Sequence, residues 1–92
     1  MPAQTEVLYK VIFSRKAVKA LEKIPRDYQT KVREAGFKLS QNPFVLDVKY
    51  MQSSEATHRL RVGPYRLFLL IDTTSKEIIV ATIKRRTTRT YR

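Results

Sequence analysis

The side chains best placed to do chemistry in this sequence are arginines. Arg59 and Arg61 stand two apart in the run Thr57-His58-Arg59-Leu60-Arg61-Val62. In a strand, that spacing puts Thr57, Arg59 and Arg61 on one face and His58, Leu60 and Val62 on the other. Arg66 follows the turn signal Gly63-Pro64, and Arg85 ends an apolar run near the C-terminus. If these three segments are neighbouring strands, Arg59, Arg61, Arg66 and Arg85 can converge on one concave surface. Guanidinium groups hold phosphate oxygens in a planar fork and keep their charge. RNA cleavage by the ribose 2′-hydroxyl also needs that oxygen deprotonated and the 5′-oxygen protonated as it leaves. Arginine suits the stabilisation of charge on phosphorus. It is a poor general base because its pKa exceeds about 12, though it can protonate or neutralise the leaving oxygen.

Further cations cluster in the tail, where five of the nine residues 84–92 are basic. Lys84, Arg86 and Arg89, with Arg61, are candidate RNA contacts; Arg61 and Arg89 can equally be plain surface charges. Tyr91 can stack on a splayed base, as aromatic side chains do in RNA readers, or anchor the tail by packing. His58 is the one histidine and the one side chain whose ordinary pKa lies near neutrality. Its face is the aliphatic one, which favours a structural role over a catalytic one. No carboxylate cluster that would hold a metal is evident, so the expectation is a site without metal or cofactor.

The elements that would position these residues are legible in outline. Residues 7–13 are β-branched and aromatic and read as a strand. Ser14 is a natural N-cap for a first helix carrying Ala17, Val18, Leu21 and Ile24 as its apolar stripe. Pro25 separates it from a second, on which Tyr28, Val32, Ala35 and Leu39 recur at helical spacing; Asn42-Pro43 is its stop. Residues 44–56 are irregular and suggest a loop. Strands are expected over 57–62, 65–71 and 77–83, the last apolar on both faces and so interior to the sheet. The expected fold is α+β: an N-terminal strand, a two-helix hairpin, then three antiparallel strands (β-α-α-β-β-β) and a basic C-terminal tail. One domain over 1–92 fits this length.

Composition limits the function classes. With no cysteine, thiolate catalysis, cysteine-ligated zinc and disulfide scaffolds are excluded. No stretch approaches the roughly 20 apolar residues of a membrane span, and residues 1–6 lack the halves of a signal peptide. The expectation is a cytoplasmic protein without a membrane partner. Nineteen Lys and Arg against eight acids leave a formal charge of +11. That excess exceeds what solubility needs and attracts polyanions, nucleic acid first and an acidic protein second.

The run Thr57-His58-Arg59-Leu60-Arg61-Val62-Gly63-Pro64-Tyr65-Arg66-Leu67 resembles the central hairpin signature of RelE-type toxins. Ile83-Lys84-Arg85-Arg86, with an aromatic six residues after Arg85, resembles their C-terminal signature, and Tyr9-Lys10-Val11-Ile12-Phe13-Ser14 their first strand. The resemblance implies a RelE-like toxin of a type II toxin–antitoxin pair, in the RelE/ParE superfamily. RelE members are endoribonucleases (mRNA interferases) that cut mRNA in the ribosomal A site without a metal and so inhibit translation. By that resemblance Arg66 stabilises the scissile phosphate, Arg85 is the general acid, Tyr91 orients the substrate, and Arg59 stands where the family often has a lysine. Thr57 occupies the place of a second lysine, so the basic pair is incomplete and the base is open among Tyr91, His58 and the substrate or ribosome. The implied partners are a cognate antitoxin protein, often acidic, and the ribosome with bound mRNA, with DNA reached only through the antitoxin. The alternatives are a ParE-like DNA gyrase inhibitor without nuclease activity and a non-catalytic nucleic-acid-binding module.

Overall fold

The computed structural model describes residues 8–44 and 46–85. The order is β1 (Lys10–Phe13), α1 (Arg15–Glu22), α2 (Arg26–Gln41), β2 (Val48–Tyr50), β3 (His58–Val62), β4 (Tyr65–Asp72) and β5 (Glu77–Arg85). The strands form one five-stranded sheet in the order β1-β5-β4-β3-β2. β1 pairs with β5 in parallel and every other pairing is antiparallel. The expected α+β order is present with one strand more, because β2 occupies three residues of the segment read as a loop. β5 is interior, as its two apolar faces indicated.

The two helices cover one face of the sheet. Ala17, Leu21 and Ile24 from the α1 segment and Val32, Ala35 and Leu39 from α2 are buried against Leu60, Tyr65, Leu67, Leu69, Ile78 and Val80. Burying one such aliphatic side chain is worth about 1.5–3 kcal/mol, so the sheet's helix side supplies most of the apolar driving force. Val18, expected on the same stripe, is instead 41% exposed. After α1, the Lys23 and Ile24 amides bond back to the Ala20 and Leu21 carbonyls, and Pro25 opens α2 at its N-cap. α2 ends at Asn42, where the backbone becomes extended.

Ser14 joins the helix layer to the sheet. Its hydroxyl accepts from the Ala17 amide at 3.0 Å, capping α1, and donates to the Ala81 carbonyl at 2.7 Å. Its own amide donates to the Val80 carbonyl. Ala81 is the extra residue of a β-bulge: Phe68 pairs with Thr82 but Leu69 pairs with Val80. An added residue reverses the alternation beyond it. Val80 and Ile83 therefore both face the helices, while Thr82 and Lys84 share the outer face with Phe68 and Arg66.

The β3–β4 turn is set by Gly63, whose φ is +59°. A positive first residue followed by proline, with its fixed negative φ, is the order of a two-residue type II′ loop. A Cβ at Gly63 would lie 2.5 Å from Tyr28 Cε1, so the turn is also too close to α2 for a side chain. Tyr28 itself packs edge-on against Tyr65, with centroids 5.5 Å apart.

His58 starts β3 on the helix side, opposite Tyr50 and Leu69. Its ring meets Tyr50 and Phe44 edge-on at 5.7 and 6.2 Å, and Nδ1 lies 2.8 Å from Thr57 Oγ1. Thr57 Oγ1 accepts from the Ile71 amide at 3.0 Å, so this corner is pinned by hydrogen bonds as well as packing.

Two stability measurements follow from these contacts. Ser14→Ala removes a helix cap and leaves the bulge carbonyl unpaired, and should cost about 1–3 kcal/mol in urea unfolding. A loss below about 0.5 kcal/mol would remove Ser14 from that role. Burial holds the His58 imidazole below its ordinary value of 6.5. Below that value the unfolded chain binds a proton that the folded chain takes up only at lower pH, so stability should fall as pH drops. The urea midpoint should be lower at pH 5.5 than at 7.5, and His58→Gln should shrink that difference.

Candidate polyanion groove

The outer face of the sheet, away from the helices, is basic at one end. Arg59 and Arg61 project there from β3, Arg66 from β4 and Lys49 from β2, and together with Asp47 they line a groove of about 410 Å³. The strand pairing makes this charge density costly. Lys49 stands directly opposite Arg59, Arg61 opposite Arg66, and Arg66 opposite Lys84. Like charges facing each other across a sheet are destabilising, each pair by roughly 0.2–1 kcal/mol. The one ion pair on this rim among the described residues, Lys49 Nζ to Asp47 Oδ1 at 3.8 Å, joins two exposed side chains and offsets little of that cost. A phosphate chain laid in the groove would remove the repulsion. The arrangement favours an anionic ligand.

The expected convergence holds for three of the four arginines. Arg59, Arg61 and Arg66 line one groove, but the residue of β5 beside Arg66 is Lys84. Strict alternation from the buried Ile78 would carry Arg85 to the outer face. The bulge at Ala81 reverses the parity, so Arg85 pairs with Tyr65, whose ring is buried on the helix side. Arg85 is exposed at the strand end, one residue beyond the groove's basic row. Lys84 holds its ammonium 5.4 Å from the centre of the Phe68 ring. That contact favours a position over the outer face by a weak cation–π attraction. Arg86, Arg89 and Tyr91 lie outside the described residues.

His58 is on the opposite side of the sheet from these cations, where its register with Leu69 and its aromatic neighbours place it. Thr57 lies on the outer face, in a second depression with Leu70, Asp72, Glu77 and Ile79 at the other end of the sheet. Sequence reasoning missed Asp47 and Lys49. Both belong to the stretch read as irregular, and the only signal was their spacing of two, which puts both on one face of a strand. Among the described residues no helix is long and apolar enough to cross a membrane.

Solved structures that match this fold include toxins of toxin–antitoxin systems and their complexes. The toxin–antitoxin complex RelBE2 from Mycobacterium tuberculosis matches with a TM-score of 0.75 and 29% identity, covering 87% of this chain and 93% of that one. The archaeal RelE–RelB complex from Pyrococcus horikoshii matches with a TM-score of 0.78 and 24% identity over 89% and 99% of the two chains. The isolated RelE toxin of E. coli matches at 0.72 and 13% identity, over 88% and 87%. No curated protein sequence matches the chain. The family model of the ParE toxin of type II toxin–antitoxin systems, parDE, matches residues 11–89. The chain therefore belongs to the ParE toxin family, within the RelE/ParE superfamily, and is a toxin of a type II toxin–antitoxin system.

Proposed function

We propose that this toxin is a ribosome-dependent endoribonuclease that cleaves mRNA in the A site and so stops translation. The observation that carries the reading is the groove with its three like-charged cross-strand pairs. A sheet gains nothing in stability from facing Arg61 with Arg66 and Arg66 with Lys84, and a bound phosphodiester compensates both. In the reaction, Arg66 and Arg59 hold the non-bridging oxygens as charge builds on phosphorus. Arg61 and Lys84 bind the flanking phosphates, with Arg86 and Arg89 extending the contact along the strand. Arg85, which follows Lys84 at the exposed end of β5, delivers a proton to the leaving 5′-oxygen or neutralises it. Tyr91 stacks on the substrate. No metal takes part.

A cognate antitoxin is the second partner, as in the complexes that two of the related structures contain. The basic groove suits an acidic, extended segment that folds on the toxin and hides the site. The protein acts in the cytoplasm, where its ribosomal substrate is, and meets DNA only through the antitoxin.

The matching family model, that of ParE, favours a second reading: inhibition of DNA gyrase without RNA cleavage. The two are separated by primer extension on a defined mRNA in stalled translation complexes containing EDTA. Discrete cuts at the A-site codon are expected. An intact message together with loss of DNA supercoiling would establish the gyrase reading instead. In the same assay Arg66→Ala should slow cleavage by roughly 100-fold, the scale for removing one preorganised donor to a transition-state oxyanion. Arg85→Ala should slow it by more than about tenfold. Cleavage at the parental rate in either variant would remove that arginine from the mechanism.

A further inference from the structure

Phe68 is an aromatic side chain that neither the core nor the cleavage chemistry uses. Its β4 neighbours Tyr65, Leu67 and Leu69 are buried on the helix side, so alternation turns Phe68 outward with Arg66. The register then sets its surroundings. Arg61, Arg66 and Lys84 form one row across the outer face. Lys49, Arg59, Phe68 and Thr82 form the next. Phe68 therefore stands beside Arg59 and two residues along the strand from Arg66, with the Lys84 ammonium 5.4 Å from its ring centre. The ring is only partly buried.

From this placement, and resting on the ribonuclease reading, we propose that the Phe68 ring is a stacking platform for an unpaired RNA base beside the scissile phosphate. Two residues of strand span about 6.6 Å, so a phosphate gripped by Arg66 leaves an adjoining base within reach of the ring. The arginines recognise charge and planar oxygens. The phenyl group recognises the part of a nucleotide that they do not, its π-face. In the free toxin Lys84 lies over the ring through a weak cation–π contact. An arriving base takes that place, and the ammonium moves to a flanking phosphate, so no group loses its partner in the exchange. A phenyl ring has no hydrogen-bonding atom, so the platform accepts any of the four bases and selects for an unstacked, single-stranded one.

The test is single-turnover cleavage at subsaturating toxin in stalled ribosome complexes. The parental chain, Phe68→Leu and Phe68→Tyr are compared on an intact message and on two messages with an abasic ribose at one or the other nucleotide flanking the cut. The abasic ribose keeps its 2′-hydroxyl, so the bond remains cleavable. Phe68→Leu, which keeps apolar bulk without a π-face, should cut the intact message roughly tenfold more slowly. Phe68→Tyr should stay within threefold of the parental chain. One abasic message should be cut roughly tenfold more slowly by the parental chain, with no further loss when Phe68→Leu is used on it. That non-additivity is what a merely structural role would not produce. Leucine and abasic losses that multiply on both messages overturn the platform, as does a tyrosine variant as slow as the leucine one. Phe68→Leu within threefold of the parental chain on the intact message overturns it too, and leaves the ring to a protein partner. A parental toxin that leaves every message intact overturns the ribonuclease reading itself, and the platform with it.

Discussion

One extra residue in β5 decides which side chains this protein shows to its partners. The bulge at Ala81 reverses the alternation of the strand. As a result Val80 and Ile83 both reach the helix side, and Lys84 is delivered beside Arg66. The bulge leaves a carbonyl outside the regular ladder, and Ser14 satisfies it with the same hydroxyl that caps α1. Helix start, sheet register and groove composition are thereby coupled through one side chain. A shift of register by one residue would exchange the faces of everything beyond it, putting Ile83 in water and Lys84 in the core.

The groove is built against the preference of its own scaffold. A sheet tolerates Arg61 facing Arg66 because the opposite face is secured by Leu60, Leu67 and Leu69, each almost fully buried. Apolar burial on one side of each strand offsets charge repulsion on the other. The small size of the domain sharpens the trade, since a chain of this length recovers only modest net stability. Partners that neutralise the groove, whether a phosphodiester or an acidic segment, act in the opposite direction and should draw the folded state down in free energy by mass action.

Much of this was legible in the sequence because it rests on period and local chemistry. The helical stripes of Ala17, Leu21 and Ile24 and of Val32, Ala35 and Leu39 and the face occupied by His58 follow from spacing, and the Ser14 cap and the Gly63-Pro64 turn from residue type. β2 escaped because three residues, two of them Lys49 and Tyr50, are too few to display an alternation; the strand exists through its pairing with β3. The bulge escaped because Ala81 carries no glycine or proline signal, and its cause, the Ser14 hydroxyl, lies 67 residues away. The exchange of Lys84 for Arg85 beside Arg66 is the direct consequence. Asp47 went unnoticed for the same reason as β2, a residue in an apparent loop having no face until the loop becomes a strand.

Fold alone does not separate an RNA-cutting toxin from one that inhibits gyrase, because both activities are grafted on the same sheet. Phosphate binding does not separate them either, since arginines on a sheet face will grip any polyanion. What a nuclease adds to a clamp is an acceptor for the 2′-proton, placed where the clamp holds the ribose, and it must tolerate an electrostatic penalty to keep it there. Among the described residues Asp47 is the groove's one carboxylate, and it pairs with Lys49 at 3.8 Å between two exposed side chains. The two readings therefore part on proton transfer, and not on how many cations the groove holds.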